Sequence, residues 1–184
     1  MMNQAVFLDR DGTMARDAHY CRCPEDFELF PNTAGGIRLL HQHRFEVIVI
    51  TNQSGVGRGF LTEETLGRIH DKMQADLARQ GARVDAIYYC PHHPEDDCDC
   101  RKPKTKLVQQ AAREHDIDLG QSFVVGDLPM DIELGRAIGA RTVLVTGSLS
   151  PAEIDRLKPD AVCSDVLEAA RTIIGWTSGG ANPA

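Results

Sequence analysis

The sequence predicts a doubly wound α/β fold built on a mostly parallel sheet. Short apolar runs rich in valine and isoleucine alternate with longer segments whose apolar residues recur at helical spacing. Continuous apolar runs of this kind indicate strands buried on both faces, as they are when helices cover both sides of a parallel sheet. In such sheets, ligands bind beyond the carboxyl ends of the strands. We therefore expect the functional residues where the strands end.

Six strands and five helices are expected along the chain. The strands are predicted at residues 5–8, 45–50, 86–89, 122–125, 142–145 and 160–163. The helices are predicted at residues 33–43, 62–80, 105–116, 130–138 and 164–174. Thr62, followed by two glutamates, is typical of a helix start, and Gly81 and Gly139 stand where helices should end.

Composition indicates one domain and argues against a nucleic-acid partner. The chain has 184 residues, of which 42% are hydrophobic, enough for one sizeable core but not for two. Its formal net charge of −7 is opposite to that of a surface that binds a phosphate backbone. The sequence shows neither a secretory signal nor a membrane-spanning run, so we expect a cytoplasmic protein without a membrane partner. A monomer is also expected. Residues 1–174 are predicted to form the domain, and residues 175–184 a flexible tail.

Polar and charged side chains follow each of the first four predicted strands, at the strand end or in the loop after it. In chain order they are Asp9 and Asp11, then residues 51–54 (Thr-Asn-Gln-Ser), then Arg101 and Lys102, and finally Asp127 with Asp131 one helical turn later. This set fits phosphoryl transfer, in which a carboxylate attacks a phosphate, Mg²⁺ offsets their repulsion, and a lysine holds the phosphate oxygens. A second carboxylate two residues after the nucleophile could protonate the leaving oxygen and later activate water.

Four motifs resemble those of the haloacid-dehalogenase-type phosphatases. They are Asp-x-Asp-Gly-Thr, a strand-ending Thr-Asn, a downstream Lys and Gly-Asp-x-x-x-Asp, and they cover about residues 5–147. The resemblance implies that Asp9 is the nucleophile, which becomes an aspartyl phosphate, and that Asp11 is the general acid and base. It also implies a Mg²⁺ site formed by Asp9, the Asp11 main-chain carbonyl and Asp127, with Thr51 binding the phosphoryl group and Lys102 neutralising it. Helix capping is the alternative role for any single strand-end Asp or Thr.

A second cluster of metal-binding residue types lies in the loop 90–100. Cys90 and His92 are two residues apart, as are Cys98 and Cys100, and side chains two apart point the same way in an extended chain. Three thiolates and an imidazole are the ligand set of a closed, structural zinc site. The neighbouring His93 lies on the opposite face and is not an expected ligand. A disulfide or unrelated thiols are the alternatives.

The predicted role of this zinc is structural, because it would stiffen the loop that delivers Arg101 and Lys102 to the phosphate. The other three cysteines are not expected to bind metal. Cys21 and Cys23 form a Cys-x-Cys without a second pair and are predicted to be free thiols in a surface loop. Cys163 is predicted to be a small core residue.

Two groups within the family carry a similar zinc loop followed by Arg-Lys-Pro. One removes the C7 phosphate of D-glycero-D-manno-heptose 1,7-bisphosphate, and the other hydrolyses histidinol phosphate. Residues 17–20 (Asp-Ala-His-Tyr), the run 51–55 and the Gly-Arg-Gly at 57–59 resemble the heptose group. The short linker 94–97 and the continuation 101–108 resemble the histidinol group, and Leu128 departs from the heptose pattern of a lysine or small polar residue after Asp127.

Charge considerations favour the phosphorylated sugar. A bisphosphate needs a second anion site, which Arg101, or Arg58 as a second candidate, could form. Histidinol phosphate brings a cationic amine, for which Asp17 and Glu25 are candidate partners. No long insertion comes after the first motif, so we expect little or no cap domain. The predicted substrate contacts are Asp17, His19, Tyr20, Thr51, Asn52, Gln53, Ser54, Arg101 and Lys102.

Two functions from other classes are also compatible with part of this pattern. A receiver-type signalling module has acidic residues after its first strand, and a Thr and a Lys at later strand ends. It lacks the Asp-x-Asp pair and the zinc ligands, and it would release almost no phosphate from a generic phosphomonoester. A zinc-binding interaction module would leave Asp9, Asp11, Thr51 and Asp127 unexplained.

Overall fold

The sheet has the predicted parallel topology. The computed structural model describes residues 2–147 and 149–178. Within these ranges the strands are β1 (Ala5–Leu8), β2 (Glu46–Asn52), β3 (Ala86–Cys90), β4 (Phe123–Gly126), β5 (Arg141–Val145) and β6 (Ala161–Cys163). They form one sheet in the order β3-β2-β1-β4-β5-β6, with all neighbours parallel. The strand order reverses between β1 and β4, which is where doubly wound folds bind ligands.

Helices cover both faces of the sheet. They are α1 (Thr33–Gln42), α2 (Ser54–Gly57), α3 (Glu63–Arg79), α4 (Lys106–Glu114), α5 (Pro129–Ala137), α6 (Pro151–Leu157) and α7 (Val166–Ser178). Buried residues of α1, α3 and α7 pack on one face, and those of α4 and α5 on the other. Successive side chains of β1 alternate between these two cores, Val6 and Leu8 in the first and Ala5 and Phe7 in the second.

The β2 strand is longer than predicted, and two helices were not predicted. Because β2 continues through Asn52, Thr51 and Asn52 belong to the strand rather than to a loop. Helix α2 is a single turn with two glycines, which disfavour helices, so no helical pattern marks it in the sequence. Helix α6 buries no residue and begins at a capping box, in which Ser150 N donates to the Glu153 carboxylate at 2.8 Å.

The predicted boundary of the flexible tail at residue 175 is wrong. Helix α7 runs through Ser178 because Trp176 has partners on the body of the protein. Its ring stacks on Phe123, with ring centroids 5.9 Å apart, and the Arg141 guanidinium lies 3.8 Å from the Trp176 centroid. The rest of the predicted tail, 179–184, lies outside the described residues.

The segment between β1 and α1 is where an additional cap would be inserted. It contains one turn of 3-10 helix, Pro24–Asp26, and its side chains Met14 and Phe27 are buried in the core next to the sheet. This agrees with the predicted fold with a minimal cap or none. Across residues 2–147 and 149–178, the helices are all too short or too polar to cross a membrane.

Candidate active site

A cavity of about 420 Å³ opens at the carboxyl end of the sheet, around the ends of β1, β2 and β4. It is lined by Asp9, Asp11 and Asp127 and by all nine residues predicted to contact substrate. Arg58 and Glu25, the two other charged candidates, are not among the lining residues. Strand ends that are far apart in sequence are brought together here because parallel strands finish at the same edge.

The buried Lys102 ammonium lies between two buried carboxylates at the centre of this cavity. Its Nζ atom is 2.8 Å from Asp9 Oδ1 and 2.6 Å from Asp131 Oδ1. Burial alone would lower the pKa of Lys102, but Asp131 and Asp9 together raise it above the ordinary value, so the ammonium stays charged. Burial raises the pKa of Asp9 to about 7 against the opposing effect of Lys102, and the negative charge of the neighbouring Asp131 raises it further.

Asp127 completes an acidic cluster with Asp9 and Asp131. One carboxylate oxygen from each residue lies within 4.8 Å of the other two. Thr13 Oγ1 donates to Asp127 Oδ1 at 2.9 Å and orients it. Gly12, at φ +84°, lets the chain pass so close that a Cβ atom there would overlap the Asp127 carboxylate. Carboxylate oxygens are the ligands that hard cations such as Mg²⁺ prefer, so the donor set fits a magnesium ion.

The acidic cluster contains one carboxylate that is not among the predicted magnesium ligands. It belongs to Asp131, in the first turn of α5, whereas the ligand predicted from Asp11 is a main-chain carbonyl. Asp131 Oδ2 also accepts from Leu128 N at 3.1 Å, which fixes the start of α5 directly after Asp127. The spacing of four residues between Asp127 and Asp131 is the available sequence signal, and by itself it assigns Asp131 no role.

Arg10 and Gln53 hold the Asp11 carboxylate at the wall of the cavity. Arg10 Nη2 donates to Asp11 Oδ2 at 2.8 Å, and Arg10 Nε lies 3.1 Å from both oxygens. Gln53 Nε2 donates to the same Oδ2 at 2.7 Å and to Thr51 Oγ1 at 2.9 Å. The Asp11 side chain is 25% exposed, so its carboxylate remains accessible from the cavity.

The end of β2 binds the backbone of the lysine. Asn52 Oδ1 accepts from Lys102 N at 3.0 Å, and Asn52 Nδ2 lies 3.4 Å from Lys102 O. Gln53 N donates to Cys90 O at 2.8 Å, and Gly57 N donates to Pro91 O at 2.7 Å. The segment from Asn52 to Gly57 is therefore attached both to the lysine and to the loop that precedes it.

Residues 17–20 form the rim of the cavity. Asp17 Oδ1 accepts from His19 N at 2.9 Å, within a turn in which His19 has φ 51° and Tyr20 φ 77°. Left-handed backbone at two consecutive non-glycine residues is strained, and such strain clusters at functional sites. The exposed ring of Tyr20 packs edge-on against Phe60, with centroids 4.9 Å apart, and Arg58 lies over the same Tyr20 ring.

Arg101 differs from the other arginines near the cavity in having a buried nitrogen without a partner. Among the described residues, no hydrogen-bond acceptor contacts its Nη1 atom. A buried guanidinium N–H is costly to leave unpaired, so this atom favours a ligand that brings an acceptor. Arg101 lines the cavity next to Lys102, and an anionic ligand there would supply that acceptor.

The four predicted zinc ligands converge in the loop after β3. One atom from each of Cys90, His92, Cys98 and Cys100 lies within 4.8 Å of the others, and His92 Nδ1 is 3.1 Å from Cys100 Sγ. Three sulfurs and one imidazole nitrogen at this separation fit a tetrahedral zinc ion. His93 is turned away, with its Nδ1 atom accepting from Glu95 N at 3.2 Å. All six cysteines are free, so the alternative of a disulfide is not realised.

One prediction about the remaining cysteines is wrong. Cys21 is 4% exposed and belongs to the core, rather than to a surface loop, and burial raises its pKa to about 11. Its Sγ atom donates to Cys23 O at 3.4 Å. Cys163 is buried in the core, as predicted.

Known proteins share both the sequence and the fold of this chain. A family model described as HAD-hydrolase-like matches residues 99–169. A D-glycero-beta-D-manno-heptose-1,7-bisphosphate 7-phosphatase from Haemophilus influenzae is 40% identical over 146 residues, covering 76% of this chain and 78% of that protein. The enzyme of the same name from Pasteurella multocida is 34% identical over 184 residues, covering 96% of this chain and all of that protein.

A solved structure shares both the fold and the sequence pattern of this chain. The D,D-heptose 1,7-bisphosphate phosphatase from B. bronchiseptica, crystallised with magnesium and phosphate, superposes with a TM-score of 0.82 at 33% identity, covering 94% of this chain and 99% of that one. Neither a receiver-type module nor a zinc-binding interaction module accounts for these similarities. The chain belongs to the haloacid-dehalogenase-like phosphatases and, among them, to the D-glycero-D-manno-heptose-1,7-bisphosphate 7-phosphatase family.

Proposed function

We propose that this protein removes the C7 phosphate from D-glycero-D-manno-heptose 1,7-bisphosphate through an aspartyl phosphate on Asp9. The arrangement of Lys102 carries the proposal, because its ammonium lies 2.8 Å from the Asp9 carboxylate in a buried acidic cluster. A buried cation beside a buried nucleophile lets an anionic phosphate approach a carboxylate. The substrate is taken from relatives such as the Haemophilus influenzae enzyme, whose name specifies the beta anomer.

In the first step, an Asp9 oxygen attacks phosphorus and the bond from phosphorus to the sugar oxygen breaks. Asp11 gives a proton to that leaving oxygen, which departs as the C7 hydroxyl. In the second step, Asp11 takes a proton from water, whose oxygen attacks phosphorus. The bond between Asp9 and phosphorus then breaks, which releases inorganic phosphate and restores both carboxyl groups to their starting states.

The remaining residues around the phosphate bind and orient it. Lys102 neutralises its charge, and the Thr51 hydroxyl is available to a phosphate oxygen at the end of β2. Asp9, Asp127 and the main-chain carbonyl of Asp11 would hold Mg²⁺, with Asp131 beside them. The bound ion would offset the repulsion between the acidic cluster and the phosphate. Asp131 keeps Lys102 directed at Asp9 through its 2.6 Å contact with the ammonium.

Arg101 is the proposed partner of the phosphate that is retained on C1. Its buried Nη1 atom lacks an acceptor among the described residues, and its neighbour Lys102 already serves the reacting phosphate. A bisphosphate offers acceptors to both cations. Histidinol phosphate would place its amine in the same cavity, where Asp17 is available but Glu25 is not. The geometry therefore favours the sugar bisphosphate.

We also propose that the cysteine and histidine cluster binds one structural zinc ion. The protein is proposed to be a cytoplasmic monomer with one phosphatase domain. The four ligands stand directly before Arg101 and Lys102 in the chain. A closed site with four protein ligands leaves no position for substrate, so this zinc supports the loop and takes no part in the chemistry.

A substrate comparison tests the proposed function. The protein with Mg²⁺ is assayed for phosphate release from both anomers of heptose 1,7-bisphosphate, from the matching 7-phosphates, from fructose 1,6-bisphosphate and from histidinol phosphate. We expect kcat/KM for the heptose bisphosphate to exceed that for histidinol phosphate at least about tenfold, since charged hydrogen bonds to the second phosphate contribute roughly 1.5–3 kcal/mol. Phosphate should leave only C7.

Arg101→Ala provides the control for the bisphosphate preference. We expect it to lower kcat/KM for the bisphosphate much more than for the 7-phosphate, because only the bisphosphate carries a phosphate on C1 that can contact Arg101. Arg58→Ala should leave this ratio unchanged, since Arg58 lies over Tyr20 outside the cavity lining. A higher kcat/KM for histidinol phosphate, or equal losses on both sugar phosphates in Arg101→Ala, would contradict the assignment.

A further inference from the structure

Arg10 is a charged side chain that is completely buried behind the active site. It lies between Asp9 and Asp11 in the chain and has no exposed surface. Nε and Nη2 of its guanidinium both contact the Asp11 carboxylate, at 3.1 Å and 2.8 Å. The third nitrogen, Nη1, points the other way and is 3.3 Å from Nε2 of His70. A guanidinium is planar and rigid, so the contact at Nη1 also fixes the direction in which the other two nitrogens donate.

His70 comes from helix α3, sixty residues away in the chain from Arg10. It is 9% exposed, and its ring lies 5.6 Å from that of Tyr89. Burial, together with the nearby Arg10, lowers the pKa of His70 to about 4. The ring is therefore neutral at physiological pH, and its Nε2 lone pair is free to accept from Arg10 Nη1. A protonated ring would instead present a positive N–H to a guanidinium.

We infer that His70 is a positioning residue for Asp11, which it orients through Arg10. The inference rests on the proposed role of Asp11 as the general acid and base. The contact from His70 stops rotation of the guanidinium, which then holds the Asp11 carboxylate from behind while Gln53 holds it at 2.7 Å from the side. Asp11 is thereby directed at the oxygen that leaves phosphorus and at the water that replaces it.

A positioning role and a merely structural role predict different kinetics. Attack by Asp9 on an aryl phosphate needs little proton transfer, because a nitrophenolate is a good leaving group. Release of a sugar alkoxide, and hydrolysis of the aspartyl phosphate, both need Asp11. Loss of His70 should therefore slow the steps that use Asp11 and leave the attack by Asp9 nearly unchanged. General loosening of the core would slow all steps.

The test compares three variants of the full-length protein loaded with Mg²⁺ and zinc. His70→Leu removes the acceptor and replaces the ring with an apolar side chain that still fills part of its space. His70→Gln retains an acceptor oxygen for Arg10. Met73→Ala, three residues further along the buried face of α3, is the control for lost packing. Each is measured with 4-nitrophenyl phosphate in rapid-mixing and steady-state experiments, with the heptose bisphosphate at steady state, and by thermal unfolding.

For His70→Leu we expect a burst of nitrophenolate at a rate within about twofold of the parent, followed by turnover that is slower by about five- to tenfold. The heptose bisphosphate should lose a similar factor in kcat with little change in KM. His70→Gln should recover most of the turnover. Met73→Ala should lower the unfolding temperature and leave the ratio of burst rate to turnover unchanged.

Equal slowing of burst and turnover in His70→Leu, a failure of His70→Gln to recover activity, or the same kinetic profile in Met73→Ala would overturn the inference. Asp11→Asn separates this failure from that of the proposed function. If Asp11→Asn accumulates phosphoenzyme and His70→Leu does not, the role of His70 is wrong while that of Asp11 stands. If the parent forms no phosphoenzyme and Asp11→Asn turns over normally, both are wrong.

Discussion

At the scale of single residues, the site depends on one cation shared by two acids. Lys102 contacts Asp9 and Asp131, and all three side chains are at least nine-tenths buried. Removing one partner of a buried ion pair usually costs several kcal/mol, because the remaining charge is left without compensation. The same charges that stabilise the folded site also prepare it for a dianionic phosphate, so stability and activity are linked at Lys102.

Asp9→Asn keeps the shape of the nucleophile and removes its negative charge. We expect kcat on any phosphomonoester to fall by several orders of magnitude, since no aspartyl phosphate can form. Steady-state phosphate release measures this loss, and mass spectrometry should find no phosphoenzyme. Retention of a tenth of the parent activity would rule out Asp9 as the nucleophile.

Lys102→Met tests the shared cation. Without Mg²⁺, the free energy of unfolding in urea should fall by about 3 kcal/mol, because two buried carboxylates lose their common partner. Added Mg²⁺ should restore part of that stability in the variant, while activity stays low. Lys106→Met is the matched control, since the Lys106 side chain is more than half exposed and forms its ion pair with Asp99, which is also exposed. Its unfolding free energy should change by less than about 0.5 kcal/mol.

At the scale of elements, the segment from Asn52 to Gly57 and the loop 90–100 behave as one unit. They are connected by the hydrogen bonds from Gln53 N to Cys90 O and from Gly57 N to Pro91 O, and Asn52 contacts the Lys102 backbone. The zinc ligands lie in the same loop. Metal binding, substrate contacts and the placement of Lys102 are therefore expected to respond together to changes in either segment.

Cys98→Ser should abolish zinc binding. Protein purified without added zinc should contain close to one equivalent by metal analysis, and the variant almost none, because a structural site needs all four ligands. The unfolding temperature should fall with the loss of metal. Cys23→Ser, which changes a cysteine outside the cluster, should keep the full zinc content. A parent protein that contains no zinc would refute the site.

Gly57→Ala should weaken the zinc site although Gly57 is not a ligand. A Cβ atom at this position would overlap the backbone of His93 and His92, so α2 and the loop 90–100 must move apart. We expect faster zinc transfer to a chromogenic chelator and a higher KM for the sugar phosphate. Gly67→Ala is the control, because its Cβ atom would meet no atom within 4 Å and should stabilise α3. Equal zinc release rates in the two variants would contradict the coupling.

At the scale of the whole molecule, the features that follow from the alternation of strands and helices along the chain were predictable from the sequence, and those that depend on close packing were not. All six strands and the residues at their ends were predictable, because parallel strands end at one edge. Arg10 and His70 were missed, since arginine and histidine are seldom fully buried and nothing in the sequence shows that α3 brings His70 to within 3.3 Å of Arg10. The position of Asp131 one turn after Asp127 was predictable, but its contact with Lys102 required coordinates.

The buried His70 should make the stability of the whole protein depend on pH. The pKa is about 4 in the folded state and 6.5 ordinarily, so the unfolded chain binds more protons in this window. The contribution of the neutral His70 to the free energy of unfolding is fully present above pH 6.5 and falls as the pH falls towards 4. Urea unfolding should show that the parent loses about 2 kcal/mol more than His70→Gln between pH 7 and pH 5. Parallel pH curves for the two proteins would show that His70 does not titrate this way.

The central position of β1 has a consequence for how the protein is made. Among the six described strands β1 is made before the others, and its two neighbours in the sheet, β2 and β4, emerge tens of residues later, β4 ending at Gly126. Until then the edge of β1 that β4 will cover has no partner and is exposed to wrong pairing. Asp127 and Asp131 emerge later still, so a growing chain carries the nucleophile Asp9 long before it can form the acidic cluster. A chain that terminates before Asp131 therefore lacks the complete acidic cluster, and a nascent chain cannot form this site until α5 has begun to emerge.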